Sequence, residues 1–124
     1  MFFAREPMLL ALTEQDPPNR MAFEYLMAWY LLHKKSDKIV QHLARLPEHG
    51  YTEIPPLYQE AAVIYAYGTK QPLPLSGLTE AQRRIEHFSG IFNRYGRDKG
   101  AAFGELAREY AGSYFFYFIY ASSP

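Results

Sequence analysis

The chain has 124 residues, no cysteine, and thirteen basic against thirteen acidic side chains, so its formal net charge at neutral pH is zero. A chain of this length forms one domain with a modest core. Zero net charge supplies no field to draw it to nucleic acid or an acidic membrane, and the missing thiols exclude disulfides, thiolate metal sites and a cysteine nucleophile. Eleven tyrosines and nine phenylalanines predict large side chains that bridge helix to helix, with some left for an interface. The local basic clusters, Lys34, Lys35 and Lys38, then Arg94, Arg97 and Lys99, read as solvated helix ends and loops.

The segment Met1–Leu12 opens with Met1-Phe2-Phe3, but Arg5, Glu6 and Pro7 interrupt it. It lacks the uninterrupted apolar core and small-residue cleavage site of a secretory signal. Pro7 suits the first turn of a short helix carrying Met8, Leu9, Leu10 and Leu12, ending before Asp16-Pro17-Pro18. No window approaches the roughly 20 apolar residues of a membrane span, so this segment is expected to be soluble as it stands, with no direct membrane insertion.

Two amphipathic helices follow within Asn19–Leu46. Phe23, Leu26, Met27 and Tyr30 fall at i, i+3, i+4 and i+7, one face of a helix. Asn19 suits the N-cap, and Pro18 keeps the preceding chain extended. The turn His33–Asp37 offers Ser36 or Asp37 to cap the next helix, which sets Ile39, Val40, Leu43 and Leu46 on one face and stops near Pro47, with Gly50 following. The turn is short enough to force antiparallel packing.

After an extended link at Tyr51–Ile54, Pro55-Pro56 opens a helix with Tyr58, Ala61, Ala62 and Tyr65, closed by Gly68. Thr69–Leu78, with Pro72, Pro74 and Gly77, reads as a loop. Thr79 with Gln82 forms a capping-box signature for a helix carrying Ile85, Phe88, Ile91 and Phe92 and ending at Gly96. A charged turn, Gly96–Gly100, leads to a helix with Phe103, Leu106, Ala107 and Tyr110.

Three of these helices share one template: Phe23-x-x-Leu26-Met27-x-x-Tyr30, Tyr58-x-x-Ala61-Ala62-x-x-Tyr65 and Phe103-x-x-Leu106-Ala107-x-x-Tyr110, spaced 35 and then 45 residues apart. Leu43 and Leu46 precede Tyr58 by the same 15 and 12 residues by which Phe88 and Ile91 precede Phe103. The pattern resembles a degenerate tetratricopeptide array, whose period is about 34 residues, over Asn19 to Gly112. It departs from that family at Met27, where a small residue is usual, at Lys34, where glycine is, and at Arg84, where alanine is. The expected fold is therefore all-α. About six helices form antiparallel pairs in a tetratricopeptide-like right-handed α-α array, with residues 1–124 as one domain and Tyr30, Tyr65 and Tyr110 as equivalent buried positions. Ordinary helical-bundle periodicity is the alternative.

Asn19–Ala28, then Ile54–Ala61, then the aromatic end Ser113–Tyr120, also resemble the C-terminal region of a family of uncharacterised Bacteroidales proteins. In that family this helical region follows a multi-spanning membrane part. The resemblance implies that the chain is a fragment of something longer, tethered to a bacterial membrane through an upstream region, and it carries no activity with it.

No chemistry-bearing constellation emerges. His33, His42, His49 and His87 form no H-E-x-x-H and no ligand pair on one helical face. Glu86 and His87 are neighbours and diverge on a helix. The serines include no G-x-S-x-G elbow, and the glycines at 90, 96, 100, 104 and 112 lie between no strand and helix. The expectation is no active site and no cofactor.

Two functions are compatible with this reading. In the first, the chain is a protein- or peptide-binding scaffold whose inner helices present Glu24, Ala28, Leu31 and Leu32, then Gln59, Val63 and Tyr67, then Arg108. The Lys/Asn/Arg set that grips a C-terminal carboxylate in some tetratricopeptide domains is absent from these positions. In the second, it is a structural appendage of a membrane protein with no independent ligand, packed against another part of its own longer chain. A hydrolase or metal enzyme ranks last. Exposed Leu31, Leu32 and Tyr67 would favour the first; burial of them under the N-terminal helix would favour the second. Finally, Tyr114–Tyr120 are seven large apolar residues in a row. They are expected to leave one face uncovered and to self-associate through Phe115, Phe116 and Phe118, the alternative being a tail tucked into a groove of its own domain.

Overall fold

The computed structural model describes residues 5–14, 19–73 and 76–122. The Met1–Phe3 opening, the Asp16–Pro18 link and Pro74 lie outside these. Among the described residues seven α-helices follow one another: α1 (Arg5–Thr13), α2 (Arg20–Leu32), α3 (Ser36–Leu43), α4 (Pro56–Thr69), α5 (Thr79–Arg94), α6 (Lys99–Tyr110) and α7 (Tyr114–Tyr120). A 3₁₀ turn, Pro47–His49, lies between α3 and α4, and no strand occurs among the described residues. Each helix from α1 to α6 packs on the next, giving an α-α array. Helix α7 leaves this order and packs on both α6 and α4.

The helix ends mix confirmation and correction. Asn19 caps α2, its Oδ1 accepting the Ala22 N–H at 3.0 Å, and Pro56 occupies the first turn of α4 as its fixed φ allows. Ser36 and Thr79 do not cap. Each is already the first helical residue, the preceding Lys35 and Leu78 hold the cap positions without a side-chain bond, and Gln82 turns along the helix to Glu86 instead. Helix α4 also runs through Gly68, and Lys70 takes the left-handed conformation at φ +57° that ends it. Asp98 caps α6 through the Ala101 N–H.

The core is built from the predicted faces. Phe23, Leu26, Met27 and Tyr30 of α2, Ile39 and Leu43 of α3, Tyr58, Ala61 and Ala62 of α4, Ile85, Phe88, Ile91 and Phe92 of α5 and Leu106 of α6 are all buried. The template weakens along the chain. Tyr30 is fully buried and Tyr110 nearly so, but Tyr65 is only half-buried, and Phe103 is 48% exposed. Phe103 has no following helix pair to cover it, and its ring meets Phe116 and Tyr120 of α7 at 5.5 and 5.2 Å. The three tyrosines are therefore not equivalent.

Polar bonds between helices accompany this packing. The Tyr30 hydroxyl donates to Glu6 of α1 at 2.7 Å. Arg45, just past α3, donates to the Thr13 carbonyl and hydroxyl at the end of α1 at 3.0 and 3.2 Å. His49 is the exception: it is 4% exposed, neither ring nitrogen has a hydrogen-bond partner, and its ring stacks on Phe23 at 4.2 Å. Burial, then the Arg45 guanidinium, holds its pKa below the ordinary histidine value, with Glu48 acting in the opposite sense and Arg20 in the same one.

Two predictions follow from the burial pattern. Tyr30→Ala should lower stability by about 3–5 kcal/mol and Tyr65→Ala by less than half as much, read as urea midpoints; equal losses would restore the equivalence. For His49, the folded state resists a proton that the unfolded chain accepts near pH 6.5. Its contribution is therefore full above about pH 6.5 and is lost as the pH falls below that, by at most about 1.4 kcal/mol per pH unit. Urea titrations between about pH 7.5 and pH 5 should show a steeper loss for the native chain than for His49→Phe, and parallel profiles would refute the assignment.

Candidate interaction surface

Helix α2 is apolar nearly all round. Its inner face is core, while Met21, Tyr25, Ala28 and Leu32 form a second stripe at i, i+4, i+7 and i+11 that stays exposed, with Met21 at 67% and Tyr25 at 62%. This period places all four on one face. Two hollows flank the stripe and share Ala28 and Leu32. One, of about 270 Å³, is closed by Met8 and Leu9 of α1 and by Trp29. The other, of about 450 Å³, is closed by Leu57 of α4 and by Gly112, Tyr114 and Tyr117 at the α6–α7 corner. Leu32, Leu57 and Met8 are themselves 47, 45 and 55% exposed. Together they make one continuous apolar shelf.

The expected inner-face residues divide accordingly. Ala28, Leu31 and Leu32 lie on the shelf, Leu31 half-buried. Glu24 is exposed and accepts the Tyr51 hydroxyl at 3.0 Å beside Arg20. Gln59 is half-buried and donates to the Ile54 carbonyl at 2.6 Å, bracing the link before α4. Val63 is core, not lining. Tyr67 is exposed but belongs to a separate hollow beside the Lys70–Leu78 loop, its hydroxyl 2.7 Å from Ser89 Oγ. Arg108 is exposed on α6 and lines neither shelf hollow. The structure thus brings together three of these eight and adds Met8, Tyr25, Leu57 and Tyr117. The heptad-like spacing of Met21, Tyr25, Ala28 and Leu32 was the available signal.

The aromatic tail is the larger correction. Helix α7 is covered by its own domain, packed on α4 and α6. Tyr114 and Phe115 are core, Phe116 to Tyr120 are half-buried, and none of the seven is exposed. Phe115, at 2% exposure, cannot present itself to a partner while α7 is seated. The tail is fixed by hydrogen bonds to distant parts of the chain. The Tyr114 and Tyr117 hydroxyls donate to the Leu31 and Leu32 carbonyls at 2.6 and 2.7 Å, and Lys34 Nζ donates to the Ala121 carbonyl. Burial, with Tyr117 nearby, raises the Tyr114 pKa, so that hydroxyl stays a donor.

At the start of α7 sits Glu60, 4% exposed. Its Oε1 accepts the Tyr114 backbone N–H at 2.7 Å and its Oε2 accepts Arg84 Nη1 of α5. Ser113 completes the cap by accepting the Phe116 N–H at 3.2 Å. Glu60 went unremarked in the sequence although it is the only charged residue between Pro56 and Tyr67. A second pairing invisible in sequence joins α5 and α6: His87 Nδ1 lies 2.7 Å from the Tyr110 hydroxyl and 3.6 Å from Glu109. Both His87 and Glu109 are exposed. Among the described residues, no three His, Asp or Glu side chains are grouped to hold a metal ion, and no helix is long and apolar enough to cross a membrane.

A family profile matches residues 2–121. The chain belongs to DUF6057, a family of unknown function. No curated protein and no solved structure matches it. The features that this DUF6057 chain offers are thus the apolar shelf and the seated aromatic helix beside it.

Removing the Glu60 carboxylate deprives Arg84 and the Tyr114 N–H of their acceptor at once. Glu60→Ala should cost about 1.5–3 kcal/mol, the range for hydrogen bonds to a charged group, held to that range because Arg84 is partly solvated. Backbone amides of Phe116–Tyr120 should exchange faster than in the native chain while those of α2 are unaffected. Unchanged exchange in α7 would mean that the carboxylate does not hold the helix.

Proposed function

We propose that this chain is a protein-interaction domain without catalytic activity, working through the shelf formed by α1, α2 and the α6–α7 corner. The observation that carries the reading is the second apolar stripe of α2, Met21, Tyr25, Ala28 and Leu32, left in water beside two hollows. Contiguous exposed apolar surface of this kind marks interaction sites on soluble domains. The in-phase repeats at Phe23 and Tyr58 support reading α2–α5 as two degenerate tetratricopeptide-like pairs, with α7 closing the array in place of a further pair. The partner is a protein or peptide segment with an apolar face, and not nucleic acid.

The second reading is a soluble appendage of a membrane protein. It draws on the resemblance of Asn19–Ala28 and Ile54–Ala61 to the Bacteroidales family. Leu32 and Tyr67 are both exposed, and half-buried Leu31 lines a hollow with Tyr114 and Tyr117 of α7, which favours the interaction reading over burial beneath α1.

A photo-crosslinking amino acid placed at Ala28, with Glu86 on α5 as the control position, separates these readings in cells expressing the chain. The expected result is a discrete adduct from position 28 that disappears in Leu32→Glu, a surface change that should alter stability by no more than about 0.5 kcal/mol. No adduct at position 28 above the control would refute a shelf-bound partner.

A further inference from the structure

We infer that α7 is exchangeable between copies, so that the groove it fills in its own domain also accepts the α7 of a second chain, giving a reciprocal dimer. The inference goes beyond the shelf and does not depend on the shelf having a partner.

Three observations carry it. First, side-chain hydrogen bonds that seat α7 run to residues far away in sequence: from the Tyr114 and Tyr117 hydroxyls to the Leu31 and Leu32 carbonyls, and from Lys34 to the Ala121 carbonyl. None requires α7 to belong to the same molecule, and an identical helix is complementary to the groove by construction.

Second, the connection is three residues long, and its clear break is at Ser113. Ala111 is already helical at φ −55° and ψ −32°, and Gly112 does not take the left-handed region. Ser113 is extended, with φ −93° and ψ 158°. With Gly112 and Ser113 both in the helical range, Lys99–Tyr120 forms one rod of about 33 Å, which carries α7 out of its own groove. The Tyr114 N–H then turns from Glu60 to the Tyr110 carbonyl, and Glu60 keeps Arg84.

Third, opening strips cover from both sides of the contact. Tyr114 and Phe115 leave the core, and Phe88 loses its contact with Phe115, whose ring centroid lies 5.9 Å away. Neither the free helix nor the emptied groove is stable in water, and a second copy opened in the same way supplies the complement to both.

Ser113 is also the latch on the closed form, since its Oγ accepts the Phe116 N–H and donates to the Tyr110 carbonyl. Ser113→Ala removes both bonds and favours the continuous helix. Loss of an N-cap corresponds to about a fivefold shift for each hinge, so the dimer should form at clearly lower concentration than in the native chain.

The chain has no cysteine, which makes the test direct. Lys35 and Ser122 are exposed, and the Lys34–Ala121 bond brings their neighbourhoods together. Chains carrying only Lys35→Cys are mixed, unfolded, with chains carrying only Ser122→Cys, refolded together, and treated with a short bismaleimide. The doubly substituted chain reports closure within one molecule, and circular dichroism shows that each variant is folded. The expected result is a 35–122 crosslink between different chains that rises with concentration and rises further with Ser113→Ala, alongside a dimer in sedimentation. Monomer throughout with closure only inside the doubly substituted chain would overturn the inference. So would a dimer that lacks the 35–122 crosslink, because it would form through another face.

Discussion

A single buried carboxylate organises the second half of this domain. Glu60 lies in a helix otherwise made of apolar and uncharged residues, and leaving its charge unpaired there would be strongly unfavourable. The partners that make its burial tolerable come from two other elements: the Arg84 guanidinium of α5 and the first N–H of α7. The carboxylate faces the N-terminus of α7, where unsatisfied N–H groups and the helix dipole both favour negative charge. Arg84 in turn lies over the rings of Tyr110 and Phe115, at 5.5 and 5.7 Å. Position and charge at one residue thereby decide where α5, α6 and α7 meet.

The same logic of unsatisfied groups explains how a strongly aromatic helix is held. The last carbonyls of α2 are among those that a helix cannot bond internally, and the hydroxyls of Tyr114 and Tyr117 donate to two of them. Each tyrosine thus places its ring against the array and its polar tip on backbone, which a phenylalanine could not do. The outcome is that α7 is seated against α4 and α6, while the second apolar stripe of α2 stays exposed. That stripe lies apart from the face that α2 buries through Phe23, Leu26, Met27 and Tyr30, and α1 and the α6–α7 corner only border it.

Much of the fold was legible in the sequence, and the candidate surface only in part. The helices, their order and the faces of α2 to α5 follow from local information: apolar spacing near 3.6 residues and punctuation by proline and glycine. Capping was less legible. Asn19 behaved as expected, while Ser36 and Thr79 did not, because a cap depends on the φ and ψ of one residue, which the flanking packing sets. Sequence spacing groups Ala28, Leu31 and Leu32 on α2, but the shelf they share with Met8, Leu57 and Tyr117 joins four separate stretches of chain. Val63 and Phe115 were misplaced for a related reason: both lie on helices with apolar residues on several sides, so periodicity alone gives no direction for burial.

The sequence by itself determined that this is a helical array, since helical phase and chain breaks are properties of neighbouring residues. Only the tertiary structure decided where the last seven residues go and which apolar face remains in water. Tyr114–Tyr120 carry no polar residue to give them a phase. Their location depends instead on partners 54 and 83 residues earlier, Glu60 and the Leu31 carbonyl. Those bonds exist only in the packed array.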